Sequence, residues 1–403
     1  MSIIAFVNVA MHGHINPTLP VVAELCRRGH TVSYHTTASY ASGIDAAGAT
    51  SFLYAGRARS LPQHPTALNM LESLVASSQQ YLPALLDDLR AIRPGVIVHG
   101  AACPWGLIAA RTLEVPAVSA YTTFAFDAAL PSPTGATGIG GFLARHPRDA
   151  LRYLGARADL DRRYRTRGLP RLDLANIHEP LNLVFTSPEF QPHSGRFDHT
   201  YRFVGPSLGV RPINPPLPGG PLREKVLYAS LGTVYRAPIS MLQALAEALA
   251  TEAGTVVLAT GDVSPSDLGA LPSNVIAQPF VPQPEVLSRT AVFVTHGGMN
   301  SVNEALHAGV PMLVIPQGAD QPAVARRVVE LGAGLSIRPE ESSTATIRMQ
   351  VRRLLHDSRF RMAARRLQKA QRAAGGAPRA ADEIEAYMQA ASALAGSGRR
   401  GRR

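Results

Sequence analysis

The chain shows one pattern twice, in which short apolar runs alternate with segments whose apolar residues recur at helical spacing. In the first half the apolar runs cover residues 3–9, 31–37, 95–100 and 115–122. The same alternation begins again at residue 225 and continues to about residue 337. Short apolar runs bounded by turn residues are typical of strands buried on both faces. Strand–helix–strand repetition therefore predicts parallel sheets with right-handed crossovers.

A stretch rich in Pro and Gly separates the two series and predicts two domains. We assign the chain to an N-terminal domain, a linker, a C-terminal domain, and a C-terminal helix with an Arg-rich tail, at 1–205, 206–224, 225–375 and 376–403. The expected fold class is α/β, with two doubly wound, Rossmann-like domains facing across a cleft and a helical C-terminal segment. Ligands are expected beyond the carboxyl ends of the strands. Residues 123–180 interrupt the alternation and predict a helical excursion that forms part of an acceptor pocket.

Composition limits the class of protein. Hydrophobic residues make up 46% of the chain and charged residues 17%, which is typical of a globular rather than a disordered protein. Two cysteines are too few for a disulfide framework or a four-cysteine zinc site. No apolar run is long enough to span a membrane, and the first residues lack the basic segment of a signal peptide. We expect a soluble cytoplasmic protein without integral membrane association, as a monomer or homodimer.

The net charge of +11 is unevenly distributed. Residues 145–171 contain nine Arg and three Asp, and four more Arg stand at the end of the chain. Such clusters can attract anionic ligands, nucleic acids or membrane surfaces. Because no nucleic-acid-binding motif accompanies them, we interpret them as a solvated helix and an exposed terminus, and we expect no nucleic-acid partner.

The loop after the first strand contains two histidines, His12 and His14. We expect this polar loop to precede a helix that is capped by Asn16 and starts at Pro17. A histidine at a strand end can act as a general base near neutral pH. The alternative is a structural histidine that caps the helix.

Two strand ends in the second half carry small and polar residues that suit phosphate. One is Ser230 to Thr233, and the other is His296-Gly297-Gly298, which precedes a predicted helix from Met299 to Ala308. Small residues let a pyrophosphate approach a positive helix N-terminus, where His296 and Ser301 add donors. The sequence matches neither the GxGxxG nor the Walker pattern.

Three polar side chains near these strand ends suit ribose and sugar hydroxyls. Glu304 lies about one turn along the predicted helix, where its carboxylate can accept hydrogen bonds from ribose. Asp320 and Gln321 follow the next apolar run and suit vicinal sugar hydroxyls. The alternative for this pair is a cap on the following helix.

Together these motifs resemble family 1 glycosyltransferases, and most of all the bacterial macrolide and antibiotic branch. The similarity rests on 280–283, 296–304, 309–311, 320–321, 12–17 and 28–32, and it is strongest over 225–337. It implies the GT-B fold and inverting transfer of a hexose from a nucleoside-diphosphate sugar, UDP-glucose being the expected donor. No metal or other cofactor is implied, since the UDP-sugar is a co-substrate. The implied acceptor is a hydrophobic small molecule such as a polyketide, macrolide or phenol.

The resemblance also implies a role for each matched residue. The catalytic histidine of the family corresponds to His14, and the aromatic residue that stacks on the base corresponds to Phe280, where the family usually has Trp. Val281 offers its backbone to the uracil edge. Nucleotide and phosphate contacts are implied for Ser230, Thr233, Gln283, His296, Gly298, Asn300 and Ser301, a ribose contact for Glu304, and sugar contacts for Asp320 and Gln321.

One position departs from the family pattern. The Asp that usually supports the catalytic histidine would end the strand at 95–100, where this chain has Gly100. Another carboxylate, for example Asp127, can substitute, or the acceptor is acidic enough to need little help, or the protein is a weak or auxiliary homologue. An epimerase or hydrolase of nucleotide sugars on the same fold is a further alternative.

Overall fold

The computed structural model describes residues 1–54, 56, 67–127, 147–166, 169, 173–209, 226–232 and 237–400. The chain forms two compact units. The first contains Met1–Thr186, His193–Val210 and Ala374–Arg403, and the second contains Ser187–Pro192 and Arg211–Ala373. Most of the expected linker, residues 210–224, lies outside the described residues. Within the described residues, no helix is both long enough and apolar enough to cross a bilayer.

Each unit is built on one sheet of parallel strands. The strands are β1 Ile3–Val7, β2 Thr31–Thr36, β3 Thr50–Leu53, β4 Val96–Gly100, β5 Ala117–Tyr121, β6 Leu181–Val184, β7 Tyr201–Phe203, β8 Val226–Ser230, β9 Thr255–Ala259, β10 Val275–Gln278, β11 Thr290–Thr295, β12 Met312–Val314 and β13 Gly334–Ser336. Their orders are β3-β2-β1-β4-β5-β6-β7 and β10-β9-β8-β11-β12-β13. In both sheets the order reverses beside the first strand, so the predicted doubly wound α/β architecture is confirmed.

Helices connect the strands. They are α1 His12–Ile15, α2 Leu19–Arg27, α3 Ala38–Ala46, α4 Ala67–Ile92, α5 Pro104–Leu113, α6 Pro147–Tyr164, α7 Ile239–Ala250, α8 Gln283–Arg289, α9 Met299–Ala308, α10 Gln321–Glu330, α11 Thr344–His356, α12 Ser358–Ala373 and α13 Gly376–Arg400. Three short 3-10 turns are also present in the described chain, at Ser194–Arg196, Pro265–Leu268 and Pro339–Glu341.

Strand β1 shows why its residues form a buried strand. Ile4 and Phe6 belong to one apolar cluster, whereas Ala5 and Val7 belong to another. Successive side chains of a strand point to opposite faces, so both faces of the sheet are covered and the strand needs an unbroken apolar run. The same holds in the second unit, where Tyr228 of β8 lies outside the cluster that contains its neighbours in the strand and stacks on Phe293.

The last helix, which we assigned to a segment of its own, belongs to the first unit. Ala380, Ala381 and Ile384 of α13 are fully buried in the apolar cluster that contains β1 and α2. Arg28, just after α2, also donates to Asp382 and to Glu385 of α13, both at 2.7 Å. The helix therefore completes the core of the first unit.

The start of the chain differs from the expectation at Asn16 and Pro17. The residues expected to form a loop instead make the short helix α1, because the amides of His14 and Ile15 both donate to the carbonyl of Met11. Asn16 ends α1 and does not cap the next helix. Helix α2 begins at Leu19 after Thr18, whose hydroxyl donates to the carbonyl of Ile15 at 2.8 Å.

The sequence pattern also missed several elements of the first unit. It did not predict β3, β6 or β7, or the helices α3 and α4. Helix α6 lies within the expected excursion at 123–180, and four of its five arginines are exposed, as expected for a solvated Arg-rich helix. Arg157 is buried and donates to the carbonyl of Leu169 at 3.1 Å, and Arg152 pairs with Glu72 of α4.

The position of α13 gives a stability prediction. Ile384→Ala should lower the free energy of unfolding of the first unit by about 2–5 kcal/mol, because it removes a fully buried side chain and leaves a cavity. Gln389→Ala on the exposed face of the same helix is the matched control and should change little. Urea denaturation followed by circular dichroism measures both; equal effects of the two variants would contradict the placement of the helix in the core.

Candidate active site

His14 lies on α1, directly beyond the carboxyl end of β1. Its side chain is half-buried, and Nδ1 lies 3.3 Å from the hydroxyl oxygen of Thr122, the residue after β5. Its carbonyl accepts a hydrogen bond of 2.9 Å from the side-chain amide of Asn8. The residue is thus held by groups that follow β1 and β5, the two strands on either side of β4. His12 is exposed and makes an edge contact with the ring of Tyr40.

The place of the missing carboxylate is filled by the side chain of Asn8. Gly100, at the end of β4, does not have a left-handed φ, so backbone conformation does not demand glycine there. A Cβ at this position would instead overlap Oδ1 of Asn8. That oxygen also accepts from the amide of Val9 at 2.9 Å. A larger residue at 100 would therefore displace the side chain that holds the carbonyl of His14.

The carboxylates near the ends of β4 and β5 have other partners. Glu179 is buried and lies 3.2 Å from Nε2 of His99 and 2.5 Å from Arg111. Burial raises the pKa of Glu179, but the bonds from His99 and Arg111 outweigh it and hold the pKa below the ordinary value. Asp127, the candidate substitute, lies 3.0 Å from Arg196. Within the described chain, no carboxylate pairs with His14.

Burial alone shifts the titration of His14. Removal from water disfavours the imidazolium and lowers the pKa of His14 to about 4. The ring is therefore neutral at physiological pH and has a lone pair that can accept a proton.

In the second unit, the ring of His296 lies between the ends of β8 and α9. A Cβ at Gly232 would come within 2.7 Å of the ring, and a Cβ at Gly298 would overlap it. Gly297 has φ +85°, and a Cβ there would lie 2.7 Å from Val314. Glycine is required at these positions because the ring and β12 occupy the space. Burial lowers the pKa of His296 to about 4, and a hydrogen bond with the backbone of Ser230 opposes the shift.

Three of the predicted nucleotide-binding residues form one hydrogen-bonded cluster. The side-chain amide of Gln283, the first residue of α8, donates to Glu304 at 2.7 Å and to Ser301 at 3.3 Å. Its carbonyl oxygen accepts a bond of 2.8 Å from the hydroxyl of Tyr228. Glu304 is almost completely buried. Because Tyr228 donates to Oε1, the amide of Gln283 faces the carboxylate.

The expected sugar-binding pair lies at the start of α10. Asp320 occupies the N-cap position, but its side chain makes no capping hydrogen bond. Oε1 of Gln321 accepts from the amides of Gln317 and Gly318, at 2.7 and 3.2 Å. Ala319 has φ +54°, which a residue with a Cβ rarely adopts. Gln321 therefore stabilises a tight loop that presents Asp320.

The other predicted residues occupy the same edge of the second sheet. Ser230 ends β8, Gly298 caps α9, and Asn300 lies in the first turn of that helix. Phe280 is 48% exposed, whereas Val281 beside it is buried. Thr233 lies outside the described residues. In the described chain, no group of three or more His, Cys, Asp or Glu side chains is arranged to hold a metal ion.

Three residues of the site were not predicted: Asn8, Thr122 and Tyr228. Asn8 and Thr122 each directly follow a strand, and this position was the available signal. Tyr228 is the one aromatic residue in an otherwise small and aliphatic strand.

Comparison with known proteins agrees with this arrangement. Residues 243–386 match the family model described as Erythromycin biosynthesis protein CIII-like, C-terminal domain. The chain is 32% identical over 397 residues to NDP-glycosyltransferase YjiC of Bacillus subtilis (strain 168), covering 96% of this chain and 97% of the relative. It is 30% identical over 406 residues to the oleandomycin glycosyltransferase of Streptomyces antibioticus, covering 96% and 91%. The crystal structure of CalG4, the calicheamicin glycosyltransferase, matches with a TM-score of 0.79 at 32% identity, covering 96% and 98%.

The chain has two parallel α/β units of this strand order, and a solved glycosyltransferase matches almost its whole length. These features define a GT-B glycosyltransferase. The chain belongs to family 1 of the glycosyltransferases, with macrolide and other antibiotic glycosyltransferases among its relatives. The predicted resemblance, fold class and enzyme class are confirmed.

The two neutral imidazoles give a pH prediction. We expect His14 and His296 to titrate near pH 4 rather than near 6.5, because burial opposes their protonation. Between these values the unfolded chain binds protons that the folded chain does not, so stability should decrease as pH falls from about 6.5 to about 4. Ring ¹⁵N chemical shifts, assigned with His14→Gln and His296→Gln, measure the titration against a histidine model compound. A midpoint at or above 6.5 would contradict the burial argument.

Proposed function

We propose that the chain is an inverting UDP-glycosyltransferase that moves a hexose, with glucose as the expected sugar, to a hydroxyl of a hydrophobic small-molecule natural product. His14 is the general base. The observation that carries this proposal is the half-buried, neutral imidazole beyond β1, held by its own carbonyl and by Nδ1. A polyketide, macrolide or phenol fits the acceptor class.

The chemistry assigned to His14 is one proton transfer. Nε2 accepts the proton of the acceptor hydroxyl as the oxygen attacks the anomeric carbon of the donor. The bond from that carbon to the diphosphate oxygen breaks, UDP leaves, and the configuration inverts. The neutral state of the ring supports this role, since an imidazolium could not accept the proton.

The second unit supplies donor binding in this proposal. The N-terminus of α9, with His296, Gly298, Asn300 and Ser301, receives the diphosphate, because a helix N-terminus carries partial positive charge and free amides. Ser230 and Thr233 add phosphate contacts. Phe280, exposed and able to stack, receives the base, and Val281 offers its backbone. With these donors stabilising the leaving diphosphate, we propose that the reaction needs no metal.

Glu304 and Gln283 bind the ribose. The buried carboxylate of Glu304 is directed by Gln283, which Tyr228 holds in one orientation. A carboxylate placed in this way accepts hydrogen bonds from both hydroxyls of a ribose. A 2′-deoxyribose lacks one of these hydroxyls and donates fewer hydrogen bonds to the carboxylate. Asp320, presented by the Gln321 loop, is assigned to the sugar hydroxyls, with Gln321 as its support.

Removing the base tests the division of roles. His14→Ala should abolish most transfer to alcohol acceptors, by about 10²–10⁴-fold, because general-base help is lost. UDP affinity should be unchanged, because the nucleotide residues belong to the other unit. Transfer rates and calorimetric titration with UDP measure the two effects.

His12→Ala is the matched control, since His12 is an exposed imidazole on the same short helix. It should retain transfer. Normal turnover of His14→Ala together with a loss of transfer in His12→Ala would show that His12 rather than His14 is the base.

A donor series tests the nucleotide and sugar assignments separately. We expect UDP-glucose to be used faster than dTDP-glucose, because dTDP lacks the 2′-hydroxyl that Glu304 would bind, and dTDP-glucose faster than a dTDP-deoxyhexose. Tyr228→Phe should lower the ratio of the rate with UDP-glucose to the rate with dTDP-glucose by about tenfold, because Gln283 loses the hydroxyl that orients its side chain. Competition assays resolved by mass spectrometry give these ratios. A clear preference for the deoxyhexose would overturn the donor assignment.

A second candidate function is that of a weak or auxiliary homologue. The observation that favours it is that no carboxylate pairs with His14 in the described chain. UDP formation that depends on the acceptor distinguishes the candidates. An active transferase releases UDP only as product forms, whereas an auxiliary protein binds UDP without turnover, and a hydrolase releases UDP without any acceptor.

A further inference from the structure

Thr122 approaches His14 from a strand next to the one that lacks the expected carboxylate. Strands β4 and β5 pair in parallel, with Gly100 beside Ala120, and Thr122 lies two residues further along. Its side chain is half-buried, and its hydroxyl oxygen is 3.3 Å from Nδ1 of His14. Among the described residues, it is the one side chain that hydrogen-bonds the imidazole ring.

We propose that Thr122 is the positioning residue of His14, and that its neutral hydroxyl sets the tautomer of the ring without supplying charge. The proposal rests on the function proposed above and extends it to the choice of acceptor. The proposed hydrogen bond runs from Nδ1–H to the hydroxyl oxygen, which leaves the lone pair on Nε2 to receive the acceptor proton. The opposite tautomer would present N–H to the acceptor and could not act as a base.

A neutral partner has a consequence that a carboxylate would not have. When Nε2 accepts the proton, the ring becomes an imidazolium, and Thr122 provides no negative charge to stabilise it. The base is therefore weak, and transfer depends on how readily the acceptor hydroxyl ionises. We infer that phenols and enols are better acceptors than aliphatic alcohols of similar size and polarity.

The packing at Gly100 explains why the support comes from β5. The carboxamide of Asn8 fills the space that a side chain at 100 would need, and it holds both the carbonyl of His14 and the amide of Val9. It also lies 3.4 Å from the hydroxyl of Tyr34. A carboxylate introduced at 100 would disturb this network, so position 122 is the suitable place to add one.

Three substitutions at position 122 separate the effects of the hydroxyl, of the side-chain shape and of an added charge. Thr122→Val keeps the shape and removes the hydroxyl, Thr122→Ser keeps the hydroxyl, and Thr122→Asp adds a carboxylate. Thr37→Val is the matched control, because Thr37 is also half-buried and directly follows a strand, β2. Each variant is assayed with UDP-glucose, a series of substituted phenols of graded acidity and one aliphatic alcohol, and UDP affinity and thermal midpoint are measured alongside.

Thr122→Val should lower kcat by about tenfold, the effect of one lost hydrogen bond, with the KM for UDP-glucose unchanged. Thr122→Ser should restore kcat. Wild-type rates should rise as the phenol becomes more acidic, and Thr122→Asp should raise aliphatic transfer relative to phenol transfer. The proposal would be overturned if Thr122→Val had the same kcat as Thr37→Val, or if the wild type preferred aliphatic alcohols to phenols. If Thr122→Asp does not fold, the comparison of Thr122→Val with Thr122→Ser still decides.

A second readout needs no turnover. Ring ¹⁵N shifts of His14 at neutral pH should show a proton on Nδ1 in the wild type and a changed tautomer population in Thr122→Val. If the wild type transfers no hexose from UDP-glucose, the proposed donor is wrong, but the tautomer still tests Thr122. A proton on Nε2 in the wild type would contradict the proposal whatever the donor.

Discussion

Burial of both faces of a parallel sheet is the constraint on which the rest of this structure depends. In β1, alternate residues belong to two different apolar clusters, so the strand has no exposed face that could carry a reactive group. Groups that meet a ligand are therefore expected where strands end. Asn8, His14 and Thr122 are all at or beyond such ends in the first unit. In the second unit, His296 and Asp320 occupy equivalent places after β11 and β12.

The parts of the fold that local patterning determines could be predicted from the sequence. The helix Met299–Ala308 was predicted at its observed bounds, because glycines on both sides and a strong apolar period mark it. All six strands of the second sheet lie between residues 225 and 337, where the sequence predicts the second series of strands and helices. Strand β7, with only three residues, offers no period to recognise, and α4 carries Pro83 in its interior. The error at Asn16 had a local cause, since Asn16 and Pro17 lie in the turn between α1 and α2 rather than at the start of a helix.

The candidate site was predictable in its residue types but not in its partners. His14, Gln283, Ser301 and Glu304 were predicted singly, and the last three lie together as a hydrogen-bonded group. The contact between His14 and Thr122 joins residues 108 positions apart, and no local period encodes it. The ion pairs of Glu179 with His99 and Arg111 likewise join residues far apart in the sequence. That buried carboxylate is already hydrogen-bonded, and directing it elsewhere would leave Nε2 of His99 without its partner.

The central claim is that a neutral imidazole deprotonates the acceptor while the diphosphate leaves from the opposite face of the sugar. The anomeric configuration of the product tests it most directly. UDP-glucose carries the α configuration, and a single displacement gives a β-glycoside. We expect proton NMR of the purified product to show the β anomer alone. An α-glycoside would require retention, which His14 acting as a general base cannot produce in one step, and would contradict the account.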